Sequence, residues 1–113
     1  MLTYDIIDSK LRDVKLLDSE QVVAAVEDVI ARFELDAKRT TLSTYKGSVH
    51  WHLKQGKKTG LLEVTYWPQN GQLWVDIHDN RRKEWNLELI VPFSEALAEA
   101  FGGKVVLKEE PLL

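Results

Sequence analysis

Between residues 19 and 35 apolar side chains recur every three or four positions, at Val22, Val26, Val29, Ile30 and Phe33, while Glu20, Glu27, Asp28 and Arg32 take the other side. One buried stripe on an amphipathic helix has that spacing. Asp18 stands where an N-cap belongs, with Gln21 in the capping-box position. Upstream the pattern is double. Leu2, Tyr4 and Ile6 alternate as in an edge strand, yet Ile7, Leu11 and Val14 also fit a helical stripe.

From residue 39 to 79 the period changes to two, interrupted at regular intervals by turn residues. The pattern predicts a four-stranded meander over 39–45, 48–54, 61–67 and 72–79. Lys46-Gly47 forms the first turn, 55–60 the second and Pro68-Gln69-Asn70-Gly71 the third. Symmetric turns pair Leu42 with Trp51, Trp51 with Val64, Leu53 with Leu62, Leu62 with Ile77 and Tyr66 with Leu73. Apolar meets apolar at every pair, as a correct register requires, because a slip of one residue turns a strand over. The core face then carries Thr40, Leu42, Thr44, Val49, Trp51, Leu53, Leu62, Val64, Tyr66, Leu73, Val75 and Ile77, with the helix lying on it.

Beyond residue 80 two patterns compete. Trp85, Leu87, Leu89 and Val91 alternate like a fifth strand, whereas Trp85, Leu89, Phe93, Leu97 and Phe101 form a helical stripe. A proline inside a helix costs about 3 kcal/mol but is welcome in its first turn, so Pro92 favours a strand over 84–90 and a helix over 92–101. Gly102-Gly103 ends that helix, and 104–108 reads as a short final strand. The expected fold is α+β: a four- to five-stranded antiparallel meander over about 39–90, packed on helices 19–35 and 92–101.

With 113 residues and neither repeat nor linker-like stretch, the chain reads as one domain over 1–113. The absence of cysteine excludes disulfides, thiolate metal sites and thiol catalysis, and points to a reducing, cytoplasmic setting. No apolar run is long enough for a signal peptide or a membrane span, so no membrane partner is expected. A net charge of −3 argues against a protein that coats nucleic acid.

The same register gathers polar residues on the second face: Arg39, Thr41, Ser43, Tyr45, Ser48, His50, His52, Lys54, Glu63, Thr65, Trp67, Trp74, Asp76 and His78. One row across the strands runs His52, Glu63, Asp76, and its neighbour runs Ser43, His50, Thr65, Trp74. Imidazole and carboxylate are metal and acid/base groups, and His50-x-His52 puts two imidazoles on one side of a strand. His78, however, lies two strands and two residues from His52, about 12 Å away, and needs a two-residue register shift to join. His52 beside Glu63 also fits an ordinary cross-strand pair, and the sequence itself requires neither metal nor cofactor. Trp67 and Trp74 near Tyr45 form a more aromatic face than water favours. A terminal segment (1–17 or 111–113), a second copy of the chain in a homodimer, another protein or a ligand is expected to cover it.

A basic end completes the picture. Lys38, Arg39, Lys54, Lys57, Lys58, Arg81, Arg82 and Lys83 gather where 55–60 and 80–83 emerge together, with Trp85 alongside as a stacking surface for a base. No nucleic-acid motif accompanies these charges, and they equally suit a solvated hairpin tip. Phosphate-loop, nucleophile-elbow and metalloprotease motifs are absent. The leading expectation is therefore a non-enzymatic binding or regulatory module working through the aromatic face, with residues Tyr45, His50, His52, Glu63, Thr65, Trp67, Trp74, Asp76 and His78, and dimeric. A small metal-assisted enzyme using His50, His52, Glu63 and Asp76, and an anion or nucleic-acid binder at the basic end, are the other two.

Overall fold

In a computed structural model describing residues 1–12 and 18–108, two helices pack on one face of a six-stranded antiparallel sheet. The strands are β1 (Leu2–Ile7), β2 (Asp36–Thr40), β3 (Val49–Lys54), β4 (Leu62–Trp67), β5 (Gln72–Ile77) and β6 (Lys104–Lys108), in spatial order β2-β3-β4-β5-β1-β6. The helices are α1 (Ser19–Arg32) and α2 (Glu84–Ala100). The α+β class follows the sequence pattern. Val14, residues 13–17 generally and the 111–113 segment lie outside the described residues.

Helix α1 begins as expected. The Asp18 carboxylate accepts the Gln21 N–H at 2.9 Å and the Gln21 side chain accepts the Asp18 N–H, which satisfies donors that a helix start otherwise leaves orphaned. The helix stops short of residue 35, because Glu34 turns left-handed at φ 56° and Leu35 N–H returns to the Ile30 carbonyl. Val22, Val26, Val29 and Ile30 are buried against Trp51, Leu53, Leu62, Val64, Tyr66, Leu73, Val75 and Ile77 of the sheet.

The β3–β4–β5 pairing follows the alternation, with Trp51 opposite Val64, Leu53 opposite Leu62 and Tyr66 opposite Leu73. The first hairpin differs. Arg39, not Leu42, stands opposite Trp51, an offset of three residues that reverses the faces of β2. Residues 41–48 form a loop held by turns at Tyr45 and Ser48, and Leu42 N–H donates to the Ser48 hydroxyl. Tyr45 gains two aromatic contacts and Lys46 gains a bond from the Trp67 indole, contacts that a two-residue hairpin would forgo. Leu42 therefore leaves the core. Arg39 leaves the second face and pairs with Glu27 at 3.4 Å.

Residues 84–90 are helical, not a fifth strand: α2 runs through Pro92 without a break. Continuing the helix buries Trp85, Ile90, Phe93, Leu97 and Ala98 on one stripe. At about 1.5–3 kcal/mol per large buried side chain, this outweighs the proline's penalty of about 3 kcal/mol, and the ring sits exposed on the solvent side. The start of α2 is fastened by Asn86, which is fully buried. It accepts the Lys83 N–H and donates to the carbonyls of Leu61 and Arg81.

The N-terminal segment is strand β1, but it is not an edge and does not lie across the second face. It sits between β5 and β6, with Thr3 opposite Asp76 and Asp5 opposite Trp74.

Candidate functional site

With both helices on one face, no further layer covers the other among the described residues, and its polar residues should remain wet. Those of β4 do not. Leu62, Glu63, Val64, Thr65 and Tyr66 are all buried, so β4 is enclosed on both sides. On the open side the enclosure comes from neighbouring side chains that rise around it and leave a depression of about 420 Å³. Its lining includes Leu42, Tyr45, His50, His52, Glu63, Thr65, Trp74, Asp76 and His78, with Met1, Thr3 and Lys108 at the margin.

The expected row His52, Glu63, Asp76 is present, as is the row His50, Thr65, Trp74, with Thr40 in the place expected for Ser43. At the centre is Glu63, 5% exposed. His50 Nε2 lies 2.9 Å and His52 Nε2 3.3 Å from its Oε1, and His78 Nε2 lies 2.9 Å from its Oε2. The third histidine needs no register shift. It follows β5 on the diagonal two residues beyond Asp76, Glu63's direct partner, and diagonal neighbours are within reach of long side chains.

Charge and burial compete at each group. Burial pushes the Glu63 carboxyl up, but the His50 hydrogen bond and the positive potential of His78, His50 and His52 prevail, and it titrates below its ordinary range. Burial holds His52 below its ordinary value, helped by His50, Lys38 and His78 against the pull of Glu63. Asp76 goes the other way: burial and the adjacent Glu63 raise it, although the Thr3 hydroxyl donates to Oδ1 at 2.7 Å and the Trp74 indole N–H to Oδ2 at 3.1 Å. Two neighbouring carboxyls are thus driven apart, a pattern common where a site holds a proton or a cation.

His50 is the most fixed of the imidazoles. It is 3% exposed, and its Nδ1 lies 2.7 Å from the hydroxyl of the fully buried Thr65. His52 and His78 are partly exposed at the rim, and the His50 and His52 rings meet edge to face. The ligand atoms of His50, His52 and Glu63 all lie within 4.8 Å of one another.

The aromatic residues are gathered, but not as a bare surface. Tyr45 packs edge-on against both Trp67 and Trp74, at centroid distances of 5.1 and 5.2 Å, and both indole N–H groups are satisfied within the chain. Among the described residues the cover comes from the 41–48 loop, while 13–17 and 111–113 lie outside them.

The basic end is assembled only in part. Lys83 and Arg81 abut Gly60 of the 55–60 loop that carries Lys57 and Lys58, while Lys54 stands opposite Asp36 and Lys38 opposite His52. Arg82 pairs with Asp79 at 3.0 Å. Trp85 is buried and its indole donates to the Thr59 carbonyl at 2.7 Å, so it presents no stacking surface. Sequence reasoning missed Thr3, since nothing local places β1 beside β5.

The chain matches no protein-family model, and no curated protein matches it.

Proposed function

We propose that this chain is a small-ligand binding domain whose site is the depression on the open face of the sheet. The observation that carries the reading is the burial of polar, titratable side chains facing that depression: His50, Glu63, Thr65 and Asp76. Burying such groups costs free energy unless they are satisfied, and a fold that needed only a covered sheet would meet that need with apolar residues. Apolar walls at Leu42, Tyr45 and Trp74 over a polar floor are the usual make-up of a small-molecule site, and the volume lies in the usual range.

A small molecule, in preference to a second protein, is the proposed occupant because Tyr45 already packs on both tryptophans. The homodimer expectation thereby loses its main motive. The nucleic-acid reading loses Trp85. A cytoplasmic setting fits the cysteine-free sequence.

The test is an amide and indole NMR screen of the metal-free chain, kept in chelator, against small carboxylic acids and heteroaromatic compounds. Binding that shifts Thr65, Asp76 and the Trp74 indole together supports the proposal. Shifts confined to 55–60 and 79–83, or none at any concentration, would contradict it.

A further inference from the structure

His50, His52 and Glu63 converge in this depression with their ligand atoms within 4.8 Å of one another, a spacing that one ion can bridge. Two ligand atoms held about 2.1 Å from one ion, at angles between octahedral and tetrahedral, are about 3.0–3.4 Å apart. Each of the three imidazole nitrogens stands at close to that distance from a Glu63 oxygen: 2.9, 3.3 and 2.9 Å for His50, His52 and His78.

Two further observations point to a cation. First, Glu63 Oε2 is buried and accepts no hydrogen bond among the described residues, with His78 Nε2 2.9 Å away. A buried carboxylate oxygen without a hydrogen bond is rare, because leaving it unsatisfied costs about 1–3 kcal/mol. Second, His50 has an outer partner. With Thr65 at Nδ1, the ring is oriented so that Nε2 faces Glu63, the arrangement by which metal-bound imidazoles are held in place.

We propose that His50, His52 and Glu63 bind one divalent first-row transition-metal ion on the open face of the sheet, with His78 beside the other oxygen of the Glu63 carboxylate. Imidazole and carboxylate donors without thiolate select borderline ions such as Zn²⁺, Co²⁺ or Ni²⁺ over soft ones. Two neutral imidazoles and one carboxylate leave a divalent ion with a charge of +1 and open positions, which favour an anionic or lone-pair donor from the depression. This inference rests on the same depression and shares His50, Glu63 and Thr65 with the ligand-binding reading. Metal binding is measured without any organic ligand, and the ligand screen is run in chelator, so either can fail alone.

The test uses the full chain stripped of metal. Co²⁺ titration followed by visible absorption, and Zn²⁺ titration by calorimetry, should each give one ion per chain. Glu63→Gln and His50→Gln should weaken binding by about 100-fold or more, and His78→Gln and Thr65→Val by about 10- to 100-fold, with Thr65→Ser retaining most of it. Far-ultraviolet dichroism identifies any variant that fails to fold. The wild-type cobalt spectrum is decisive independently of the variants: absence of ligand-field bands beyond those of the aqueous ion overturns the proposal. So does affinity unchanged in a folded Glu63→Gln chain.

Discussion

His78 Nε2 lies 2.9 Å from Glu63 Oε2, although the two residues stand on adjacent strands two positions out of register. That diagonal contact joins the histidine after β5 to the pair on β3 and makes Glu63 the hub of all three. Since the imidazoles outweigh burial in setting its charge state, the ionised carboxylate is a net favourable element. Glu63→Ala should cost about 2 kcal/mol at neutral pH, with Glu63→Gln costing less, as read by urea unfolding. The folded-state pKa is depressed, so this contribution is present above the ordinary value of 4.5 and is lost as the pH falls through the lower folded value.

His52 yields a second acid-sensitive window. Its folded pKa is below 6.5, so as the pH falls past that value the unfolded chain takes up the proton first and stability declines. Urea unfolding of the metal-free wild type between about pH 8 and pH 5 should show this decline. A His52→Gln chain should lack its share of the slope. An unchanged slope in the variant would rule the assignment out.

Asp76 has the opposite sign. Its folded pKa is raised, so the native state holds the proton longer and the contribution fades as the pH rises through the folded value. Asp76→Asn should therefore gain stability relative to wild type as the pH increases from about 4 upward. The gain is offset by about 1 kcal/mol, because the Thr3 hydroxyl and the Trp74 indole donate to different carboxylate oxygens and the amide nitrogen that replaces one of them cannot accept. Equal pH profiles for the two chains would show that the Asp76 site does not penalise its charge.

Pro92 marks the place where local and global preferences part. It is exposed on an unbroken helix, and without an N–H it leaves the Glu88 carbonyl without its helical partner. Pro92→Ala should stabilise the chain by about 1–3 kcal/mol, measured as a rise in the urea midpoint. A loss of stability would mean that the ring has a packing role.

Gly60 and Gly47 form a matched pair. Both have positive φ, +99° and +81°, but a methyl group at Gly60 would approach Lys83 Cγ at 2.6 Å and the Arg81 carbonyl at 3.2 Å, while Gly47 faces open space. Gly47→Ala should cost about 1 kcal/mol for the backbone alone. Gly60→Ala should cost about 1–2 kcal/mol more, since it also pushes apart the two loops of the basic end.

The three central strands, the row His52, Glu63, Asp76 and the part His50, Thr65, Trp74 of the second row are legible because hairpins of strict alternation leave one register that buries Trp51, Val64 and Val75 together. The β2 register was not, because the gain that displaces Leu42 comes from Tyr45 meeting Trp67 and Trp74, contacts remote in sequence. Helix α2 was misread at 84–90 because a local rule about proline carried more weight than the stripe from Trp85 to Phe101. The convergence of His78 is not legible from backbone spacing, because the long Glu63 and His78 side chains close the diagonal between adjacent strands.

The central claim, that all three histidines share Glu63, is tested most directly by ring ¹⁵N and ¹³C spectra of the metal-free chain and its Glu63→Gln variant. All three imidazoles of the chain should shift together in the variant while core amides stay in place. If only one ring responds, or none, the histidines do not converge on that carboxylate.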